Sequence, residues 1–446
     1  MKTPIYDFLE SYAEKHAVRL HMPGHKGAFC KNVNNSSLFS AYNFDITEIS
    51  GADSLYEADG IIKESEKLSS VLFGADTFYS TEGSSLSIRT MLYLVALYAI
   101  ERGERPSVLA ARNVHKSFVS ALTLLDIDVR WLYGEGEYLS CRVDPESLER
   151  ALTESESKPS AVYLTSPDYL GNTQDIKALS EICHKHGVLL LVDNAHGAYL
   201  KFLKSSRHPI DLGADMCADS AHKTLPVLTG GAYLHLSRSL PPFFKENAKS
   251  CMAMFASTSP SYLILASLDL VNAHLPDFSS FEKNVAVCKE RIESLGYTLI
   301  SDEPAKITIC AKKYGYLGTC LAKELSERNV ECEFADPDFV VLMLSPMNTE
   351  EDITGLLLTL ASIPKREEIK LSPPRLTVPK AVMSPRAAAF SPTVTASVDD
   401  SVGRVVSAVT VGCPPAVPIL VSGEAVTEEA IEVFKYYGIE KINLVK

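Results

Sequence analysis

The sequence predicts an α/β fold: a mainly parallel seven-stranded sheet covered by helices on both faces, followed by a smaller C-terminal domain. Three observations carry this expectation. Wholly apolar runs such as VLLLVD (188–193) read as strands buried on both faces. Amphipathic stretches of helical length separate these runs, so strand and helix alternate from about residue 60. Apolar residues make up 46% of the 446, enough to build more than one core.

Taken in order, the first 45 residues read as an arm (1–45). A short helix pattern from Ile5 to Lys15 leads into HMPGHKGAFC, where Pro23, Gly24 and Gly27 break regular structure. The large domain (46–279) opens with the amphipathic helix IIKESEKLSSVLFG, stopped by Gly74. Strand DTFYS, the small-residue turn TEGSS and a long helix from about Ser85 to Arg102 follow. Next come strand SVLAAR, helix HKSFVSALTLL, and strands VRWLY and AVYLTSP. Helix DIKALSEICHKH ends at Gly187, and strands VLLLVD, MCADS and GAYLHL complete the seven. A long helix over SYLILASLDLVNAHL is expected to bridge into the C-terminal domain (280–446), where KLSPPRLTVPKAVMSPRAAAFSP reads as a linker or an extended active-site loop. Ligands of such sheets sit beyond the carboxyl ends of the strands. Thr81 to Ser85, His115, Ser166, Asp193 and Lys223 each follow a predicted strand, which predicts that they converge on one cleft.

Composition narrows the function classes. With 43 basic and 56 acidic residues the net charge is −13, which argues against a nucleic-acid partner and is compatible with cationic substrates. Ten cysteines run from Cys30 to Cys413 with no CxxC pair, the pattern of reduced thiols in a cytoplasmic protein. The first residues, MKTPIYDFLESYAEKH, lack the apolar core of a secretory signal, and MLYLVALYAI (91–100) is too short to span a bilayer. No membrane partner is expected. Cys183, His184 and His186 sit at a helix end and read as a solvated face, so no metal site is expected.

The chemistry concentrates in three segments. Lys223 ends DSAHK, and a lysine amine held in a small polar turn can form a Schiff base with an aldehyde cofactor. Most lysines after strands are simply solvated. Asp193 in LVDNAHGAY emerges from a buried strand, where a carboxylate needs a partner. The protonated ring nitrogen of pyridoxal 5'-phosphate is one such partner, and the next turn of backbone is another. His196 reads either as a neighbour of that site or as a histidine satisfied locally. In TEGSS, Gly83 permits close backbone approach, and Ser84 or Ser85 can cap the long helix while its free N–H groups face an anion. Ser220 and His222 offer further phosphate donors, and His115 in RNVHKSF has the flat ring needed to stack on a cofactor.

Together these segments resemble the ornithine/lysine/arginine decarboxylase family of pyridoxal-phosphate enzymes, in its shorter form without an N-terminal wing domain. The resemblance runs through TPIYDFLESYAEKHAVRLHMPGHKG, FDITEISGADSL, TEGSS, RNVHKS, YLTSPDYLGNTQDI, LVDNAHGAY, DSAHKTLPVLTGGAYLH and FASTSPSYLILASLD. It returns weakly in MSPRAAAF and VGCPPAVPILVSGE. It implies a large domain of the pyridoxal-phosphate-dependent transferase-like fold with an α+β C-terminal domain. It further implies Lys223 as the Schiff-base lysine, Asp193 as the ring-nitrogen partner, His115 as the ring stacker, and Ser84, Ser85, Ser220 and His222 around the phosphate. The cofactor would be pyridoxal 5'-phosphate, the reaction decarboxylation of arginine, lysine or ornithine in polyamine-related metabolism, and the assembly a homodimer. Ser257 and Thr258 would reach the phosphate of the neighbouring subunit, and His21 and His25 would lie near the interface.

Two places depart from the family pattern. AAAF (387–390) stands where a glutamate is expected soon after MSPR, and Pro414, Pro415, Ala416 replaces a PPG-like turn. Both touch the expected substrate mouth, so they bear on substrate choice more than on cofactor chemistry. Asp45, Glu48, Asp53 and Glu424 are the candidate anions for a distal substrate cation. For the returning proton at Cα, Lys223 and His222 are the candidates. Another reaction of the same scaffold, or a non-catalytic cofactor-binding protein, are the alternatives.

Overall fold

The computed structural model of the chain describes residues 2–27, 41–134, 141–375, 377–408, 410–412 and 417–446. Cys30, Cys413 and the departing turn Pro414, Pro415, Ala416 lie outside the described residues. The seven predicted strands all form: β1 (Asp76–Ser80), β2 (Ser107–Ala111), β3 (Asp128–Leu132), β4 (Ala161–Thr165), β5 (Leu189–Asp193), β6 (Met216–Asp219) and β7 (Ala232–Leu236). They make one sheet in the order β1-β7-β6-β5-β4-β2-β3. β2 runs parallel to β3 and β4, and β5 parallel to β6. β7 is antiparallel to both of its neighbours, so the sheet is mainly and not wholly parallel.

The helices follow the sequence pattern closely. They are α1 (Pro4–Glu14), α2 (Ile61–Phe73), α3 (Ser84–Glu101), α4 (Lys116–Leu125), α5 (Pro145–Thr153), α6 (Ile176–Lys185), the single turn α7 (Ala221–Thr224), α8 (Pro242–Ala253), α9 (Tyr262–Val271) and α10 (Phe278–Ser294). α2 ends as expected, with Gly74 in the left-handed conformation at φ +73°. α9 is ten residues long and stops before Asn272, shorter than the expected bridging helix. Its Asp269 carboxylate explains why this helix stays with the first part of the chain. It is fully buried and accepts the N–H groups of Ile5 (2.9 Å) and Tyr6 (3.0 Å) at the start of α1, and it also takes the Ser65 hydroxyl. Thr3 makes no side-chain cap for α1, so the donors left over at that helix end are met from 264 residues away.

Two compact units divide the chain. The first comprises Met1–Arg102, Leu191–Lys201 and Ser206–Pro276, and the second Gly103–Leu190, Phe202–Ser205 and Asp277–Lys446. The second unit carries the remaining elements. They are β8 (Lys306–Cys310), α11 (Gly318–Ser326), β9 (Phe334–Ala335), β10 (Phe339–Met343), α12 (Glu350–Ser362), α13 (Pro385–Ala389), β11 (Thr393–Ser397), β12 (Thr410–Gly412), β13 (Pro418–Val421), α14 (Glu428–Tyr436) and β14 (Lys441–Val445). β8, β10 and β9 form an antiparallel sheet, with a core of Ile292, Tyr297, Ile307, Ile309, Leu321 and Leu360. β11 pairs with β14 and β12 with β13 around a second core that includes Ile419, Phe434 and Leu444. Among its described residues the Pro-rich stretch has no helix or named strand before α13, which packs on α4; Arg386 donates to the carbonyls of Thr123 and Leu124 at the end of α4. The alanines that stand where a glutamate was expected thus make a packed helix, with Ala388 fully buried. Among the described residues no helix is long and apolar enough to cross a membrane.

Two buried carboxylates give tests of this architecture. Asp269→Ala strands three donors in the core and is expected to cost about 2–3 kcal/mol. A lowered urea midpoint together with earlier proteolysis in α1 is the expected result; an unchanged midpoint would remove Asp269 from this role. Asp336 is buried, and burial pushes its carboxyl up to about 6 despite N–H donation from Phe339 and Asp338. A raised carboxyl pKa adds stability at low pH that is lost as pH rises through that value. Asp336→Asn keeps an acceptor for both N–H groups without the charge. Its thermal midpoint relative to the parent should therefore climb between pH 4 and pH 8, by about 2–4 °C for each kcal/mol relieved. A difference that stays flat across that range would contradict the assignment.

Candidate active site

Lys223 lies in α7, the single turn that follows β6 directly. The turn is tight because the Lys223 N–H returns to the Ser220 carbonyl (3.0 Å), while His222 is held by β7's approach: its N–H (3.1 Å) and its Nδ1 (3.0 Å) both meet the Gly231 carbonyl. A carbonyl only accepts, so His222 carries its proton on Nδ1, and its neutral form has a lone pair on Nε2. Ser220 Oγ lies 3.5 Å from the same ring, at the edge of hydrogen bonding. The Lys223 amine reaches His196 Nε2 at 3.1 Å, so two candidates 27 residues apart meet at one point. His196, Asp193 and Ser220 are buried, whereas Lys223 is exposed.

Asp193 is the last residue of β5, a strand that becomes fully covered after Leu189. One carboxylate oxygen accepts the N–H of Ala195 at 3.1 Å, so the local-turn reading of this residue holds at that oxygen. The ends of β5 and β6 are joined directly by the Asn194 N–H to the Ala218 carbonyl, 3.0 Å. Asp193 and Lys223 therefore leave neighbouring parallel strands on the same carboxyl edge.

The start of α3 presents backbone N–H groups with no side-chain cap. Neither serine caps it, contrary to expectation: the cap position is Gly83, and Ser84 and Ser85 are the first two helical residues. Gly83 has φ +70° and no side chain to satisfy the first N–H groups, and a Cβ there would lie 4.0 Å from the Ser85 nitrogen. Its own N–H donates to the Gly230 carbonyl at 2.7 Å. Gly230 must also be glycine, since its φ is +99° and a Cβ would come within 2.8 Å of the Thr81 carbonyl. This close approach ties the TEGSS turn to the loop that follows Lys223. An 18-residue helix with an uncapped N-terminus is a favourable place for phosphate. Thr224 Oγ1, beside Lys223, is a buried hydroxyl with no hydrogen-bond partner among the described residues. The residues present fit a phosphorylated aldehyde cofactor. Ser257 and Thr258 are exposed, and the Ser257 N–H donates to Glu82 of the same turn at 2.5 Å, a contact that the sequence alone did not disclose.

Beneath these residues lies a network that sequence reasoning missed. Asp219, the last residue of β6, is fully buried. Its Oδ1 takes Asn194 Nδ2 (2.7 Å) and Cys217 Sγ (3.3 Å), and its Oδ2 takes Nε2 of His208 (2.9 Å) and of His235 (3.2 Å). His235 Nδ1 meets Thr77 Oγ1 of β1 at 2.9 Å. Burial alone would raise the Asp219 carboxyl, but the two imidazoles outweigh it and hold it well below the usual carboxylate range. Burial lowers His235 against the pull of Asp219, and burial beside that charge pushes the Cys217 thiol up. His208, Cys217 and Asp219 have metal-ligand atoms within 4.8 Å of one another, yet four donors already fill the carboxylate's acceptor positions. The cluster reads as a hydrogen-bonded knot. The DSAHK segment contained the signal, an acid on an inward position of a buried strand.

The remaining candidates each have local partners. His115, in the second unit, is the N-cap of α4 and accepts from the Ser117 N–H through Nδ1 (3.3 Å). Ser166 Oγ accepts from the Gln174 N–H at 3.1 Å. Glu424 is spent on a buried two-pronged ion pair with Arg112 (2.8 and 2.7 Å) and also takes the Val421 N–H. Asp53 collects the N–H groups of Ser54, Asp59, Gly60, Ile62 and Lys63 at the head of α2, which outweigh its burial and lower its carboxyl. Asp45 pairs with His25 Nε2 (3.0 Å), and His21 Nε2 meets the Tyr12 hydroxyl (2.5 Å). His186 Nε2 lies 3.0 Å from Glu149, and Cys183 is buried in α6.

The chain is similar to several known proteins. An arginine decarboxylase from Halalkalibacterium halodurans is 31% identical over 96% of this chain and 91% of its own length. An arginine decarboxylase from Bacillus subtilis is 29% identical over 97% of this chain and 93% of its own length. Among solved structures, the lysine decarboxylase of Francisella novicida superposes with a TM-score of 0.80 at 15% identity, over the whole of this chain and 81% of that one. The constitutive lysine decarboxylase of E. coli gives 0.77 at 18%, over the whole of this chain and 82% of that one. Residues 3–295 match the family profile "Orn/Lys/Arg decarboxylase, major domain". On that match, which spans all seven strands of the sheet and the Lys223 turn, the chain belongs to the Orn/Lys/Arg decarboxylase family.

Proposed function

We propose that this chain is a pyridoxal-phosphate-dependent decarboxylase of a basic amino acid, with arginine as the first substrate to test. The observation that carries the reading is the meeting of the Lys223 amine and His196 at the end of β6, beside the strand end that bears Asp193. The two full-length relatives named as arginine decarboxylases favour arginine over lysine and ornithine.

In this reading Lys223 supplies the amine that holds the cofactor's aldehyde. The uncapped start of α3, with Ser84 and Ser85, receives the phosphate together with Ser220 and His222. Asp193 would hold the pyridine nitrogen in its protonated form, and His115 would offer its flat ring to the cofactor. Bound there, the cofactor would supply an electron sink for the decarboxylation. His196 orients the Lys223 amine through their 3.1 Å contact. Lys223 is the group that returns a proton to Cα. His222 is less suited to that task, because its Nδ1 proton is committed to the Gly231 carbonyl. Loss of carbon dioxide and gain of one proton at Cα turn the amino acid into its amine, a product of the kind used in polyamine-related metabolism.

The same reading takes residues 1–45 as an arm, 46–279 as the cofactor-binding domain and 280–446 as the C-terminal domain. It also takes the working form to be a cytoplasmic homodimer, in which the exposed Ser257 and Thr258 serve the neighbouring subunit's phosphate.

The test is an end-point assay with arginine, lysine and ornithine supplied separately, identifying both carbon dioxide and the amine. One matched amine is expected, falling at least about 1,000-fold in Lys223→Ala, since the covalent anchor and the proton donor go together. Amine formation at the parent rate in that variant would sink the assignment of Lys223. No amine from any of the three, in a protein carrying the cofactor's absorbance, would sink the substrate class.

A further inference from the structure

The Asp219 carboxylate bonds to Asn194, Cys217, His208 and His235, and so sits at the two strand ends from which Asp193 and Lys223 emerge. It lies four residues before Lys223. Through Oδ1 it holds Asn194, the residue directly after Asp193. Through Oδ2 it holds His208 and His235, and His235 continues to Thr77. One carboxylate therefore fastens the end of β5 to β6, β7 and β1, four strands that are adjacent in the sheet.

We propose that Asp219 is a positioning residue for the cofactor site, fixing the ends of β5 and β6 so that Asp193 and Lys223 keep their spacing. The proposal rests on the cofactor reading given above. An ionised carboxylate suits the position because all four neighbours are donors: an amide N–H, a thiol and two imidazole N–H groups. A neutral amide of the same shape cannot do this, since its NH2 group must face a donor. With His235 and His208 meeting one oxygen, and Asn194 and Cys217 the other, either orientation of that amide breaks part of the lock. All of these groups are fully buried, so water offers no substitute. Such a loss moves Asn194, and with it the Asp193 backbone, without removing any group that meets the cofactor.

The experiment uses the full chain and reads cofactor seating instead of turnover. Parent, Asp219→Asn and Asn194→Ala are stripped of cofactor and titrated with pyridoxal 5'-phosphate. Affinity is followed by absorbance, the asymmetry of the bound chromophore by visible circular dichroism, and the cofactor-free fold by far-ultraviolet circular dichroism and thermal midpoint. Asp219→Asn should keep the cofactor-free fold, weaken binding by about tenfold and reduce the visible dichroic band. Asn194→Ala, which leaves Asp219 its two imidazoles, should move both readouts in the same direction. If Asp219→Asn fails to fold, Asn194→Ala decides the matter alone. Variants with a lowered midpoint but the parent's affinity and dichroic band would overturn the proposal, because the role would then be merely structural. A parent protein that binds no cofactor would instead overturn the cofactor reading, and the proposal with it.

Discussion

A carboxylate sealed from water must be met by donors on every side, and Asp219 is met by groups from four segments of the first unit. The arrangement around Lys223 depends on that constraint. Once the acid is placed inward on β6, His235 of β7, His208 of the preceding loop and Asn194 beyond β5 have to converge on it. The turn bearing Lys223 then begins one residue later, from a strand end that cannot drift. A second constraint works from above, where Gly83 and Gly230 approach closely enough for a 2.7 Å backbone hydrogen bond. The uncapped helix start and the lysine loop are thereby fixed to each other.

Several acidic residues of the chain are taken up by the fold itself. Asp53 is absorbed by five backbone N–H groups, Asp269 by the start of α1, and Glu424 by Arg112. Each answers a local electrostatic need that folding itself creates, whether helix ends or a buried guanidinium. Glu424 is instructive because its placement in a family-like segment made it a candidate for a distal substrate cation. Arg112 lies over the Trp131 ring at 4.8 Å, so its charge is desolvated and needs a counter-charge more than a substrate would. At α13, which packs on α4, Ala388 is fully buried.

Much of the fold was legible in the sequence because periodicity reports burial. β5 and β6 were visible as short apolar runs, and α2 as an amphipathic stretch with a glycine stop. The antiparallel insertion of β7 was not visible, since an apolar strand looks the same in either direction. The length of α9 was overestimated because its apolar pattern continues past Val271, where the chain leaves the helix at Asn272, a residue held by Ser65, Ser69 and Tyr79. For the candidate site, Asp193 and Lys223 were picked out by position after strands, and Ser220 and His222 as neighbours of that lysine. The expected capping by Ser84 or Ser85 does not occur, because the residue at the cap position, Gly83, has a positive φ and is tied to Gly230 by a backbone hydrogen bond.

By itself the sequence determined the class of fold and the family, and it nominated candidate residues for the chemistry, because each is written in local pattern: apolar runs, breaker residues and a lysine turn of distinctive composition. Tertiary structure alone decided which groups meet. That His196 faces Lys223, that Asp219 gathers two histidines 11 and 16 residues away, and that Glu424 crosses 312 residues to Arg112 are facts of proximity. The physical reason is that a buried polar group takes whatever partner the packed chain brings within about 3 Å, and distance along the sequence carries no record of that choice.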